Sequence, residues 1–471
     1  MTNLPTPRTI AVVLAAGLGT RMRSRLPKVL HQICGRPMLA YVLDAAREAT
    51  GERPLVVYSP ATAQIRDLFA AEADFALQDE PRGTGDALRA ALDTLPEDVE
   101  EIVVLSGDVP LVEAADVSAV AERRRATGSV MAMATYSGWE PKGYGRVIRS
   151  ATGVARVVEE RDASPEELEI DEVNAGLYAF ETAWLRSALP SLAASERTGE
   201  LYLTELVALA GRSEDRVEAV HDDMDARDWY WHLAGVNDRR DLLDAIEQVA
   251  SRTVDRHLDA GVTLLDRQHA SIDATVEIAE DVTLEPNVTL KGATRIGRDT
   301  VIKSGSYIVD SVIGERCTIW ASVIEDSVVE DDVNVGPFSH LRPGARIGAG
   351  AEIGNFAEVK KASLGPRSKQ HHFSYIGDAE VGADVNIGAG TITANYDGQR
   401  KHRTRIGDGA FIGSDTILRA PVEIGQGAAT GAGSVVTRDV PPGKLAVGMP
   451  ARIRERRVPD EPPGESPEAA T

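Results

Sequence analysis

Residues 342–401 of this 471-residue chain hold side chains that no repetitive scaffold requires. They are Arg342, Lys360, Lys361, the pair His371-His372, Tyr375, Asn386, Asn395-Tyr396 and Lys401. A histidine with an ordinary pKa near 6.5 is the natural general base at neutral pH. Arginine grips phosphate through a fork of donors, and lysine adds a point charge. Amides and a phenol can orient a nucleophile. The set suits proton removal from a nucleophile on a phosphate-bearing substrate, although a lone histidine on a loop equally fits a solvated surface.

A second group lies near the N-terminus. Gly17-Leu18-Gly19-Thr20-Arg21-Met22 is followed by Leu26-Pro27-Lys28. A glycine-rich turn after a strand presents backbone N–H groups to an anion. Arg21 and Lys28 add charge. The pattern is neither the dinucleotide fingerprint nor the P-loop, and by itself it also fits an ordinary tight turn. Asp108 follows Ser106-Gly107, where a carboxylate could hold Mg²⁺ on a nucleotide's phosphates. A surface turn would account for it as well. The loop Gln78 to Gly85 (QDEPRGTG) sets Gly83 and Gly85 around Thr84 and could read a flat base edge. Tyr144-Gly145-Arg146, Glu159 to Asp162, Asn174-Ala175-Gly176 and Gly199 to Thr204 (GELYLT) are bland one by one. Their order along the chain is the signal.

The elements that must place these residues differ between the halves. Thr9–Ala16 (TIAVVLAA) is a continuous apolar run, as in a buried parallel strand. Helical spacing covers Met38–Thr50, Thr62–Ala73 and Asp86–Leu95. Leu55–Tyr58 and Ile102–Leu105 are strands. Such alternation predicts a doubly wound parallel sheet, with ligands at the carboxyl ends of its strands. Residues 227–262 predict a connecting helix with Trp229, Leu233, Leu242, Ile246 and Val249 on one face. Asn237 falls between Leu233 and Leu242 in that stretch and also fits a helix cap.

From Ile272 the period changes to six. Val276, Val282 and Val288 keep step, then Ile296, Ile302 and Ile308; phase slips follow near Ile313. The step resumes at Ile347-Gly348 and Ile353-Gly354, and again at Val381-Gly382 and Ile387-Gly388. Ile406-Gly407, Ile412-Gly413, Leu418, Ile424-Gly425, Thr430-Gly431 and Val436 complete it. A period of six predicts a parallel β-helix of roughly ten coils, three sixes to a coil. The leading aliphatic points inward, and the glycine after it is expected to supply backbone angles that a Cβ obstructs. Thr391–Arg405 interrupts the repeat and predicts a loop thrown off one corner.

Composition bounds the rest. A formal charge of −22 and a pI near 4.9 argue against nucleic-acid binding. Cys34 and Cys317 are the only cysteines, which excludes a disulfide framework. No run of eighteen apolar residues predicts a membrane span. The expectation is a soluble cytoplasmic protein with domains at 1–236 and 263–457, a linker helix at 237–262 and a disordered, Pro- and Glu-rich tail at 458–471.

Leu14-Ala15-Ala16-Gly17-Leu18-Gly19-Thr20-Arg21-Met22 and Leu26-Pro27-Lys28-Val29-Leu30-His31 resemble the signature of sugar-nucleotide pyrophosphorylases. With the sixes added, residues 9–450 resemble the bifunctional uridyltransferase/N-acetyltransferase family called GlmU. The resemblance implies an N-terminal Rossmann-like nucleotidyltransferase domain and a C-terminal left-handed β-helix that trimerises. It implies that Leu14, Ala15, Ala16, Gly17 and Lys28 contact UTP, that Gln78, Gly83 and Thr84 read uracil, and that Ser106 and Gly107 line the UDP-N-acetylglucosamine site. Asp108 and Asn237 would hold Mg²⁺, Gly145, Glu159 and Asn174 the sugar, and Arg21 would face the departing phosphates. In the acetyltransferase half, His372 rather than His371 would be the base. Arg342, Lys360, Tyr375 and Asn386 would hold glucosamine-1-phosphate. Asn395 would orient the amine or polarise the thioester carbonyl. Ala389, Tyr396, Ser414 and Ala432 would line the acetyl-CoA groove, with Asn395 also against that ligand. Met449 stands where a basic residue is expected against CoA phosphates, with Arg452 three residues on. Two other readings are a single-activity sugar-phosphate nucleotidyltransferase with a non-catalytic repeat domain, and an assembly subunit with decayed sites. His372 and Asn395-Tyr396 count against the first; Asp108 and the intact stretch Gly17–Lys28 count against the second.

Overall fold

The computed structural model describes residues 7–137, 143–150, 153–195, 199–212, 216–221 and 231–455. Trp229 and the expected tail at 458–471 lie outside the described residues. The chain divides into two compact units, Met1–Val249 and Ala250–Thr471.

The first unit is built on one sheet. Its strands run in the order Val217–His221, Met131–Ser137, Glu172–Glu181, Glu101–Ser106, Thr9–Leu14, Leu55–Tyr58, Asp74–Leu77. After Thr9 the strand Thr9–Leu14 is apolar, as suits a strand covered on both faces. Ala11 and Val13 enter one core layer, with residues of Met38–Thr50 and Ala114–Thr127. Ile10 and Val12 enter the other, with residues of Thr84–Thr94 and Glu205–Arg212. Glu172–Glu181 runs antiparallel to both neighbours and also pairs the hairpin Arg146–Ser150/Gly153–Val158. Strand–helix alternation does not announce such a strand, because it enters from a hairpin. Leu55–Tyr58 lies on one side of Thr9–Leu14 and Glu101–Ser106 on the other, so the winding reverses there. That reversal opens a crevice at the carboxyl ends of the two strands.

The expected helix over 62–73 is cut to Gln64–Leu68, preceded by a short turn of helix at Pro60–Thr62. The connecting helix is Arg239–Asp259, beginning two residues after Asn237. Asp238 caps it: its Oδ1 accepts from the N–H groups of Arg240 and Asp241 at 2.7 and 3.2 Å. Asn237 therefore is not the cap.

The second unit is a left-handed parallel β-helix of hexapeptide repeats. Up to the last coil each strand pairs with the third strand onward, giving three walls of ten, nine and twelve strands, the last closed by the antiparallel pair Lys444–Val447/Arg452–Glu455. Ile296, Ile302, Ile308, Ile347, Ile412, Leu418 and Ile424 form part of one continuous interior. The phase slips have a simple cause. Thr283 pairs with Val301 eighteen residues on, but Val301 pairs with Thr318 and Thr318 with Asn334, so these coils are one and two residues shorter. Ala379 pairs with Thr404 twenty-five residues on, and the surplus is the corner loop.

The role expected for the repeat glycines is corrected. Left-handed corners are held by residues such as Asp384 (φ 57°) and Asp415 (φ 56°), whose short polar side chains tolerate that conformation. Gly407, which follows a leading isoleucine, is not in the left-handed region. A Cβ there would sit 2.6 Å from the backbone nitrogen of Gln426 in the next coil. The glycine serves close stacking of coils.

Candidate functional sites

At the reversal of winding, Leu14 lies opposite Ser106 in register, and the Gly107 N–H donates to the Leu14 carbonyl at 2.9 Å. The glycine loop and Asp108 therefore leave the sheet side by side. Ser59 secures the loop from the next strand: its Oγ donates to the Ala16 carbonyl at 2.9 Å, and Ala15 N–H donates to the Val57 carbonyl at 2.8 Å. Ser59 was not legible as a support residue, because only strand order brings it to Ala16.

Lys28 Nζ donates to Asp108 Oδ2. Burial alone would raise the Asp108 carboxyl; the Lys28 ammonium outweighs it and holds the group below its ordinary value. The carbonyl of Asp108 accepts from the Val236 N–H at 2.8 Å, and Arg21 donates to Asn237 Oδ1 at 2.8 Å. Asp241 Oδ2 accepts from the Asn237 N–H at 2.7 Å. Arg21, Lys28, Asp108 and Asn237 thus form one constellation, although 216 positions separate Arg21 from Asn237.

Gln78 directly follows the strand Asp74–Leu77 and is buried. The turn after it is clamped to residues 199–204: Gly85 N–H donates to the Leu201 carbonyl at 2.8 Å, and Leu203 N–H to Thr84 Oγ1 at 3.0 Å. Gly83, at φ 110°, has no room for a side chain against the Leu201 carbonyl. Thr204 donates to Glu159 Oε1 at 3.0 Å, which continues the chain of contacts. Burial pushes the Glu159 carboxyl above its ordinary value. Asn174 N–H donates to the Gly145 carbonyl at 2.9 Å, and Asn174 Nδ2 to the Tyr178 hydroxyl at 2.5 Å. Burial, above all, pushes the Tyr178 phenol up, with the nearby Glu159 charge adding to it. Gly145, Glu159 and Asn174 are therefore brought together, and Tyr178, read earlier only as strand, belongs with them.

In the second unit, one groove is lined by His371, His372, Asn386, Ala389, Ser414 and Ala432. The two histidines differ. His371 Nε2 lies 2.8 Å from Glu352 Oε2, in an ion pair that also includes Lys369. No hydrogen bond or ion pair engages the exposed His372 ring among the described residues.

A neighbouring wall carries the cations. Arg342 stands opposite Lys360 and Glu358 opposite Tyr375 in register. Arg342 donates to Glu358 Oε1 at 2.8 Å. The Arg342 charge first, then that of Lys401, lowers the half-buried Lys360 ammonium below its ordinary value. An anion beside them would offset that crowding. Asn395 is buried; its Nδ2 donates to Asp378 Oδ2 and reaches the Tyr375 hydroxyl at 3.5 Å. Both contacts use the Asn395 amide nitrogen, so the amide oxygen is the acceptor it keeps. Asp378 was missed in the sequence because an aspartate at a left-handed corner (φ 48°) is ordinary in this repeat. Tyr396 is exposed on the corner loop, its hydroxyl donating to the Gly398 carbonyl at 2.6 Å. Met449 is exposed, and Arg452 begins the final strand.

Residues 11–258 match the MobA-like NTP transferase domain family, and residues 326–361 and 403–438 match the bacterial transferase hexapeptide repeat. A protein of Trichlorobacter lovleyi called "Bifunctional protein GlmU" is 44% identical over 94% of this chain and 96% of its own. One of the same name from Rubrobacter xylanophilus is 46% identical over 94% and 93%, and one from Kineococcus radiotolerans 42% over 95% and 91%. A nucleotidyltransferase sheet and a hexapeptide β-helix, each carrying a constellation of its own and matched along nearly the whole chain, make this protein a member of the bifunctional GlmU family.

Proposed function

We propose that the chain makes UDP-N-acetylglucosamine in two steps. The β-helix unit acetylates glucosamine-1-phosphate with acetyl-CoA. The N-terminal unit then transfers uridylyl from UTP to N-acetylglucosamine-1-phosphate and releases pyrophosphate. One observation carries the reading: two chemically distinct constellations occur in one chain, each built inside its own compact unit.

In the first step the amine nitrogen attacks the thioester carbon and the CoA thiolate leaves. His372 takes the proton the amine loses, a contribution of roughly 10²–10⁴ in rate. Arg342 and Lys360 hold the phosphate, Tyr375 and Asn386 the sugar, and Asn395 accepts from the amine. Ala389, Ser414 and Ala432, with Tyr396 from the corner loop, form the acetyl-CoA side. With Met449 in place of a cation, Arg452, three residues on, would meet the CoA phosphates at that end. The cytoplasm, where acetyl-CoA and UTP are at hand, is the fitting location, and a homotrimer the fitting assembly.

In the second step a sugar-phosphate oxygen attacks the α-phosphorus of UTP in line with the departing pyrophosphate. Such transfers depend on placement and charge neutralisation. Leu14 to Gly17 pack along the nucleotide, Arg21 and Lys28 meet its phosphates, Gln78, Gly83 and Thr84 meet uracil, and Ser106-Gly107 line the floor. Gly145, Glu159 and Asn174 take the sugar. Among the described residues no group of three or more His, Cys, Asp or Glu could cage a metal. Mg²⁺ needs only one or two carboxylates when phosphates complete its shell. Asp108 with the Asn237 amide fits that case, and the ion would neutralise phosphate charge there.

Asp108→Ala should lower uridylyl turnover at least about a hundredfold at saturating Mg²⁺ and leave acetyl transfer intact. Pyrophosphate release and free-thiol release, followed separately, check this. Undiminished pyrophosphate release would remove Asp108 from the site.

A further inference from the structure

Gln78 is 3% exposed, and its Nε2 lies 3.1 Å from the carbonyl oxygen of Gly83 and 3.1 Å from Oδ2 of Asp86. Both partners only accept. The first is a carbonyl; the second is a carboxylate faced by Arg82 at 3.5 Å and Arg89 at 3.8 Å. A side-chain amide has two N–H donors, and both are taken. Turning the amide over would set its oxygen against two oxygens. Gln78 is therefore held with Oε1 as the only polar atom it can offer a ligand. Asp86 is itself buried, at 7% exposure, in the first turn of Thr84–Thr94.

We propose that Asp86 is a positioning residue that sets base selectivity at the nucleotide site. By holding Gln78 as an acceptor, it selects a pyrimidine whose ring N3 carries a proton, uracil, over cytosine, whose N3 is itself an acceptor. A cytosine there places two lone pairs face to face with no water to separate them. The proposal rests on Gln78 being the base contact. Asparagine at position 86 can donate as well as accept, so it no longer forbids the turned amide, and cytosine N3 then finds a donor.

The test is the ratio of kcat/KM for UTP over CTP, measured on the full chain for wild type, Asp86→Asn, Asp86→Ala and Gln78→Ala. Asp86→Asn should lower the ratio at least about tenfold, chiefly by improving CTP, with kcat for UTP nearly retained. Asp86→Ala should lower it in the same direction. Thermal melting of the same samples reports on the integrity of the N-terminal unit, which holds both residues. If both Asp86 variants lower UTP and CTP use in proportion, or not at all, while Gln78→Ala shifts the ratio, Asp86 has no part in selectivity and the Gln78 contact stands. If Gln78→Ala leaves UTP use and the ratio unchanged, the base contact itself is wrong and the proposal falls with it.

Discussion

At the scale of single residues, partners decide between neighbours of the same type. His371 and His372 are adjacent, yet only His371 is tied to a carboxylate. His372→Ala should cut acetyl transfer by about 10²–10⁴, and His371→Ala by far less; thiol release from acetyl-CoA measures both. Equal losses would contradict the assignment of the base. Glu159 makes a second residue-scale case. Its folded-state pKa is raised, so the folded chain binds its proton more tightly than the unfolded chain does. Stability is therefore lost as pH rises from the ordinary carboxylate range, 4.5, through the raised value. Glu159→Gln should melt higher than wild type at pH 7.5, with the advantage gone below pH 4. A melting difference that does not change with pH would contradict the burial argument. The motifs were legible at this scale; their supports were not. Ser59, Asp86, Tyr178 and Asp378 are common residues in ordinary local patterns, and their work lies in contacts that local sequence does not encode.

At the scale of elements, the period of six was legible because an inward aliphatic must recur at every face of every coil. The reason for the glycine was not, because it depends on the next coil. Gly407 and Gly409 separate the two possible roles. A Cβ on Gly407 meets the backbone of the next coil at 2.6 Å, whereas one on Gly409 (φ 64°) has open space around it. Gly407→Ala should cost about 3 kcal/mol or more, since backbone has little room to yield. Gly409→Ala should cost only about 1–2 kcal/mol of left-handed strain. Urea unfolding of the two variants ranks them, and the reverse order would overturn the stacking account. Element boundaries failed where tertiary contacts took over. The helix expected to 73 stops at Leu68, and the connecting helix waits for Asp238 to cap it.

At the scale of the whole molecule, two constellations in two units should make the activities separable by mutation. The β-helix also leaves a ladder of large apolar side chains exposed in the single chain: Phe338 at 60%, Phe356 at 62% and Phe373 at 57%. Phe338 and Phe356 stack with centroids 5.5 Å apart. Such a column fits the proposed homotrimer. Phe338→Glu with Phe356→Glu should yield monomers by sedimentation. In a trimer the acetyl site should draw residues from adjacent chains in addition to those named above, so the monomers should lose acetyl transfer and keep uridylyl transfer. A monomer with full acetyl transfer would end that expectation.

Periodicity and composition by themselves determined the two architectures, since buried faces impose repeats of two, 3.6 or six on any chain that forms them. The glycine loop and the order of motifs were enough for the family resemblance. Only the tertiary structure decided that strand reversal sets Asp108 beside the glycine loop, that Asn237 returns to Arg21, and which histidine is left unpaired. These are long-range pairings, and a chain's local pattern carries no record of which distant acceptor a donor will find.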